Sequence, residues 1–321
     1  MNKLGIVIVN RNAKALLRDC LRSVRAGTAS LSSEVIVVDN ASSDGSPDMV
    51  RGEFPNAVLI RADANLGFAA ANNIALRRIL ERGESEYVLL LNSDTVVPSG
   101  GLEALAGYLD SHPGAAGAAP ALVFPDGRFQ SGTGGSLPSA LSGLYYFFFL
   151  SKLLPKHFRG LFFDQAALAR ASKDSFDGIP VEWLSGACLM LRLEVLEKTG
   201  LLDERYFFYA EDIDWGRRMT QAGRRLFYLP WIRVVHHQGS SYELSGVNTL
   251  WLRTLYTYVR KETGPGQYIL FRLFSILGFS LRMALYSLAL VFGNGPGRKK
   301  IREITCFLIF SLWGRLEQIS P

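Results

Sequence analysis

The sequence predicts an α/β fold built on a mostly parallel sheet flanked by helices. Three observations carry that expectation. The short β-branched runs of the first 125 residues are apolar throughout, as strands covered on both faces are. They alternate with helix-length segments, the pattern that right-handed crossovers produce. Small polar and acidic residues follow them directly, and sheets of this kind bind ligands beyond the carboxyl ends of their strands.

Taken in order, residues 4–9 form the first expected strand and 13–26 a helix. EVIVVD at 34–39 is the second strand, 46–54 a helix, 57–61 the third strand and 67–83 an Ala-rich helix. YVLLL at 87–91 is the fourth strand, ending in Asn92-Ser93-Asp94. Residues 127–180 break the pattern. Within them 132–136 reads as a loop, and 144–154, LYYFFFLSKLL, reads either as an internal core helix or as a lip touching lipid or a lipid-linked acceptor. The globular pattern resumes at Val181 and runs to about Ser241.

Composition locates the charge. The chain of 321 residues has a formal net charge of +6. Residues 251–321 carry ten Lys/Arg against three Asp/Glu, so the rest is close to neutral. Those basic residues sit among Phe, Leu and Ile, which excludes a polar nucleic-acid groove and fits a membrane surface. A spanning helix needs about 20 apolar residues. The longest apolar run, 268–292, is interrupted by Arg272 and Arg282, so an in-plane amphipathic helix with both heads in the phosphate layer is expected. A glycine-rich linker at 293–297 then leads to RKKIR and a second apolar stretch at 304–313. The alternative covering for these helices is the catalytic domain or a second subunit, in a homo-oligomer. Cys20, Cys188 and Cys306 form no CxxC pair, indicate neither a disulfide framework nor a zinc site, and suit a reducing cytosol. The apolar run at the N-terminus is too short for a signal-peptide core.

Four stretches carry chemistry. VIVVDNASSDGS at 35–46 sets Asp39 at a strand end, a place suited to hydrogen-bonding a base or ribose, or to a turn and helix cap. NLGFAAANNIAL at 65–76 offers the amides of Asn65 and Asn72, and Gly67 lets backbone approach a ligand or another helix. LLLNSDTVV at 89–97 puts Asp94 just past a buried strand. A carboxylate there meets a cation or a donor, or else caps a turn. Residues 181–218 bring Glu211, Asp212 and Asp214 together after the aromatic run 206–209. Such close acids demand a cation, an Arg partner or a raised pKa. His236 and His237 follow in VVHHQGSS, as metal ligands, diphosphate donors or structural residues.

Together these runs resemble the family 2 glycosyltransferases over about residues 4–241, in particular the rhamnosyltransferase-like members that build cell-surface polysaccharides. The resemblance implies a GT-A fold: a nucleotide-sugar-binding half at 1–125, an acceptor-binding and catalytic half at 126–247, and a membrane-associating helical tail at 248–321. It implies that Asp39 binds the base with Asn10 nearby, and that Asn65, Gly67 and Asn72 shape the ribose and diphosphate pocket. Asp94 is then the last residue of the family's D-x-D element and a ligand of Mg²⁺ or Mn²⁺, with His236 a second metal contact. Trp183, Ser185, Gly186 and Glu211 lie on the acceptor side, and Asp212 is the catalytic base of an inverting transfer. The first acid of D-x-D is Asn92 here, so one of its two carboxylates is missing. The implied donor is a nucleoside-diphosphate sugar, dTDP-rhamnose ahead of UDP-hexoses. The implied acceptor is a lipid-linked saccharide, met by an enzyme peripheral on the inner face of the cell membrane. No G-x-G-x-x-G or P-loop follows the first strand, which excludes the usual dinucleotide and P-loop sites.

Overall fold

Leu4, Ile6 and Ile8 of the first strand, β1 (Leu4–Asn10), belong to one apolar cluster and Val7 to another. The strand is thus covered on both faces, which explains its unbroken apolar run. The computed structural model describes residues 3–28, 30–150, 160–162, 177–237, 247–292 and 298–314.

The order continues with α1 (Lys14–Gly27), β2 (Ser33–Asn40), α2 (Ser46–Glu53), β3 (Val58–Ala62), α3 (Gly67–Arg82) and β4 (Tyr87–Asn92). Each lies close to its expected bounds. These four strands are mutually parallel in the order β3-β2-β1-β4. The chain reverses its direction of travel across the sheet between β1 and β4, opening a crevice at their carboxyl ends. Register aligns Asn10 with Asp39 and Val9 with Asn92, so the polar strand ends share one edge. On one face α1 and α4 (Gly101–Ser111) contribute Leu17, Val24, Leu102 and Leu105; on the other α3 contributes Ala71, Leu76 and Ile79. Gly5 admits this second layer, since a Cβ there would stand 2.9 Å from the Ile79 side chain.

The second half completes a nine-stranded sheet among the described residues and is less parallel than the first. β10 (Cys188–Arg192) runs antiparallel between β4 and β6 (Ala115–Val123), and β11 (Arg225–His236) runs parallel to β6. β5 (Thr95–Val96) and β8 (Ile179–Val181) pair antiparallel with β11. The segment 132–136, expected as a loop, contains β7 (Gly134–Gly135), which pairs with β9 (Trp183–Leu184). Two further helices, α6 (Leu193–Thr199) and α7 (Glu211–Gln221), belong to this unit.

A second unit gathers α5 (Ala140–Phe147), α8 (Leu250–Glu262), α9 (Pro265–Val291) and α10 (Arg298–Trp313). The aromatic run at 144–154 therefore ends its helix at Phe147, with Phe149 at φ 59°; residues 151–154 lie outside those described. Phe147 is fully buried between Phe271 and Phe279, whose ring centroids stand 5.5 and 5.2 Å away. The Tyr256 hydroxyl meets the Ser275 and Ser311 hydroxyls in the interior.

The two arginines of α9 bond to carbonyls within this unit. Arg272 donates to the Ser311 and Leu312 carbonyls at 2.8 and 2.9 Å, and Arg282 to the Tyr146 and Phe147 carbonyls. Both guanidinium groups satisfy carbonyls left open at helix C-termini, where cations are favoured. By length and composition α9 is the one helix among those described that is apolar enough to cross a membrane. Leu273, Leu277, Leu281, Leu285 and Leu288 form an exposed stripe at helical spacing along it.

Candidate active site

Beyond β1 and β2 the polar residues knit a cradle. Asp39 accepts from the Ser42 amide at 3.1 Å, and Asn10 donates to the Ser42 hydroxyl at 3.2 Å. Asn40 accepts from the Leu66 amide at 2.8 Å and donates to Asn65 Oδ1 at 2.9 Å. It thereby staples the loop carrying Asn65 and Gly67, a job that its sequence context did not reveal. Asn72 is turned inward, donating to the Phe68 carbonyl of its own helix at 2.9 Å.

Gly67 holds φ +78°, and a Cβ there would lie 2.3 Å from the Phe207 carbonyl oxygen. That oxygen accepts from the Phe68 amide at 2.8 Å. The loop carrying Asn65 and Gly67 is therefore seated directly on the segment that leads into α7.

α7 carries the three acids in its first turn, after Tyr209 and Ala210 at φ 69° each. Non-glycine residues in this region are strained, and such strain concentrates at functional sites. The acids divide by partner. Asp214 is taken by Arg218 at 2.8 Å and Arg217 at 3.5 Å, an ion pair that fixes the helix. Glu211 is buried, and burial followed by the charge of Asp212 pushes its carboxyl well above the usual range. Asp212 is half-buried and pushed up to about 6, chiefly by desolvation, against backbone amides of Ile213 and Gly186 that favour its charged form. Gly216 lets this helix lie on β9, since a Cβ would meet the Glu182 carbonyl at 2.4 Å. Asp212 meets the backbone amide of Gly186, in the turn Ser185-Gly186 that follows β9 and its Trp183. Ser185 donates its amide to the Thr133 carbonyl at 3.0 Å.

At the end of β4, Asp94 Oδ1 and His236 Nε2 are 3.3 Å apart, and Asn92 Nδ2 is 3.3 Å from the same nitrogen. His237 donates its amide to the Asp94 carbonyl at 2.9 Å. Adjacent ligands of an octahedral ion stand about 3 Å apart for bonds of ~2.1 Å, so Asp94 and His236 fit two positions on one divalent cation. Among the described residues no third His, Cys, Asp or Glu joins them. Mg²⁺ is commonly held by one or two protein ligands plus substrate phosphates and water, and this donor set suits that pattern.

Buried polar atoms of several of these residues have no hydrogen-bond partner within the protein: Asn10 Oδ1, Asp39 Oδ1 and Asn65 Nδ2, and also Thr133 Oγ1, Trp183 Nε1 and Glu211 Oε2. Each such atom costs about 1–3 kcal/mol unless something pairs it, a cost that a bound ligand would relieve. Thr133 and Gln130 carried no signal in the sequence; neither lies in a motif.

Comparison with known proteins identifies the fold and the family. Residues 5–199 match the family model of glycosyl transferase family 2. The chain is 31% identical over 214 residues to N-acetylglucosaminyl-diphospho-decaprenol L-rhamnosyltransferase of Mycobacterium tuberculosis, covering 64% of this chain and 67% of that protein. It is 24% identical over 175 residues to rhamnosyltransferase WbbL of Escherichia coli, 53% of this chain and 61% of that one. The fold superposes on the mannosyltransferase PcManGT of Pyrobaculum calidifontis, solved with GDP-Man and Mn²⁺, at TM-score 0.57 and 16% identity over 98% of this chain and 88% of that one. It also superposes on GalNAc-T7, solved with UDP, GalNAc and Mn²⁺, at TM-score 0.55 and 14% identity over 81% and 48% of the two chains. The chain is accordingly a glycosyltransferase with the GT-A fold: it belongs to glycosyl transferase family 2 and is rhamnosyltransferase-like within it.

Proposed function

We propose that the protein transfers L-rhamnose, with inversion, from dTDP-rhamnose to a lipid-linked saccharide during synthesis of a cell-surface polysaccharide. The observation that carries this reading is Asp212: a carboxyl pushed up to about 6, at the start of a helix, against the Gly186 amide. A base poised near neutral pH suits removal of a proton from an acceptor hydroxyl as the new C–O bond forms. An oxocarbenium-like transition state attacked from the face opposite the leaving group needs only that one base. Asp39, Asn10 and Asn65 hold unpaired polar atoms suited to the nucleotide, and Trp183 and Thr133 to the acceptor sugar. Relatives named as rhamnosyltransferases support the choice of sugar, and one of them is named for a decaprenyl-diphosphate-linked acceptor.

Asp94 and His236 would hold Mg²⁺ or Mn²⁺. When bound, a divalent cation supplies charge that stabilises the diphosphate as it leaves. Calorimetric titration with dTDP, UDP and GDP, with and without Mn²⁺, tests the donor reading. dTDP is expected to bind most tightly and to gain affinity with Mn²⁺, and Asp94→Ala to lose that gain. A clear preference for UDP would replace the donor, and equal affinity with and without Mn²⁺ would remove the cation.

The exposed leucine stripe of α9 and the exposed Lys299, Lys300 and Arg302 of α10 support attachment to an anionic membrane. We place the enzyme peripherally at the cytoplasmic face, where its three free cysteines are at home. Leu277→Glu with Leu281→Glu should release the protein from phosphatidylglycerol-containing vesicles in a sedimentation assay. Alkaline carbonate should extract the wild type, and resistance to carbonate would show that the helix spans instead.

A further inference from the structure

Gln130 lies outside every motif noted in the sequence. It is 1% exposed and spends its whole side chain on one residue. Its Nε2 donates to the His236 backbone carbonyl at 2.6 Å, and its Oε1 stands 2.8 Å from His236 Nδ1. Only one orientation of the amide is compatible with these distances. Reversed, it would set Oε1 against a carbonyl oxygen, two acceptors at hydrogen-bond distance. With Oε1 facing Nδ1, the contact is completed only when Nδ1 carries the proton. Backbone geometry holds Gln130 in place, since its amide donates to the Leu122 carbonyl of β6 at 2.9 Å. β11, which ends at His236, is the parallel neighbour of β6.

A neutral imidazole protonated at Nδ1 presents its lone pair at Nε2. Asn92 Nδ2 approaches that nitrogen as a donor at 3.3 Å, while Asp94 Oδ1, a second acceptor, stands beside it at 3.3 Å. Free histidine in water prefers the opposite tautomer, and in this site a proton on Nε2 would point to Asp94 and occupy the lone pair a cation needs. We propose that Gln130 is a positioning residue that locks His236 in the Nδ1–H tautomer, so that Nε2 and Asp94 Oδ1 converge on a divalent cation. The inference rests on the metal-assisted reading above. It also accounts for how a site with Asn92 in place of an acid retains two protein ligands. One carboxylate is absent, the imidazole takes up the second position, and the amide behind it fixes which nitrogen faces the ion. Partners behind a ligating histidine typically change metal affinity about 10–100-fold when removed.

The test uses full-length protein labelled with ¹⁵N-histidine, at alkaline pH where imidazole is neutral. Long-range ¹H–¹⁵N spectra identify the His236 signals by their loss in His236→Phe. Wild type is expected to show protonated Nδ1 and bare Nε2, and Gln130→Met to shift His236 toward protonated Nε2. In parallel, Mn²⁺ is titrated by electron paramagnetic resonance with dTDP present. Gln130→Met should bind Mn²⁺ about 10–100-fold more weakly, with dTDP affinity in the absence of Mn²⁺ unchanged. Protonated Nε2 in the wild type overturns the proposal, as does equal Mn²⁺ affinity in the two proteins. Should Gln130→Met fail to fold, the wild-type spectrum alone decides the tautomer. A wild type that takes up no Mn²⁺ overturns the metal reading and with it the role given to Gln130, while the spectrum still reports which nitrogen Gln130 faces.

Discussion

Asp212→Asn is expected to lower sugar transfer about 10²–10⁴-fold, the usual worth of a positioned base, with nucleotide affinity nearly unchanged. Asn keeps the shape and accepts from the Ile213 amide that Asp212 Oδ1 meets at 2.8 Å, so the helix start survives while proton removal does not. Glu211 is a poor substitute, because its buried carboxyl is pushed further toward the protonated form. Asp214 is tied to Arg217 and Arg218. The same carboxyl sets the pH profile. A base acts when ionised, so kcat/KM should fall as pH drops through about 6, a limb that belongs to the Glu211–Asp212 pair jointly. Stability moves the other way. A carboxyl raised from 3.8 to about 6 on folding lends stability that is complete below 3.8 and lost as pH rises through about 6. Asp212→Asn should therefore melt at a higher temperature than wild type at pH 8 and at nearly the same temperature near pH 3. Normal turnover by this variant would move the base to another residue. A lower melting temperature at pH 8 would show that the carboxylate is stabilised by its surroundings.

Gly67→Ala is expected to destabilise the fold by about 2–4 kcal/mol, the range of a clash plus a backbone misfit, and to weaken nucleotide binding more than any single-amide change in the same loop. Two costs act together at this residue. A left-handed conformation costs an alanine about 1–2 kcal/mol, and the new methyl would meet the Phe207 carbonyl oxygen at 2.3 Å. That oxygen is backbone and already holds the Phe68 amide, so relief requires the 65–68 loop and the segment before α7 to separate. In the proposed mechanism donor and base are carried by those two segments, so kcat should fall along with affinity. Thermal melting and dTDP titration check this together. A Gly67→Ala protein with wild-type melting temperature and affinity would show the contact to be dispensable.

The first half of the fold was legible because its strands obey one rule. Residues of β1, β2 and β4 are buried on both sides, so continuous apolar runs marked them, and the break to Asn or Asp marked where each ended. Asp39, Asn92 and Asp94 therefore stood out, while Asn10 came from the family resemblance, and the register sets it beside Asp39. The second half was less legible because its order in space departs from its order in sequence. β10 enters antiparallel between β4 and β6, and no local pattern distinguishes such a strand from a parallel one. Gln130 is 106 residues from the histidine it touches, and Asn40 serves a loop 25 residues on; a single polar residue carries no mark of a distant partner. The acid cluster was visible, but its division was not. Which acid pairs with arginine and which stays unpaired follows from helix phase against neighbouring strands. Arg272 and Arg282 likewise have partners that no local pattern marks, the carbonyls of other helix ends.

The stereochemistry of the transferred sugar distinguishes inverting transfer through Asp212 from every other route. The full chain is incubated with dTDP-rhamnose, Mn²⁺ and a polyprenyl-diphosphate-linked N-acetylglucosamine, and the product is read by one-bond carbon–proton coupling at the new anomeric centre. A single-base transfer through Asp212 predicts a rhamnoside of configuration opposite to the donor's, formed by wild type and lost in Asp212→Asn. A product that keeps the donor's configuration, or one formed equally well without the Asp212 carboxylate, would contradict it.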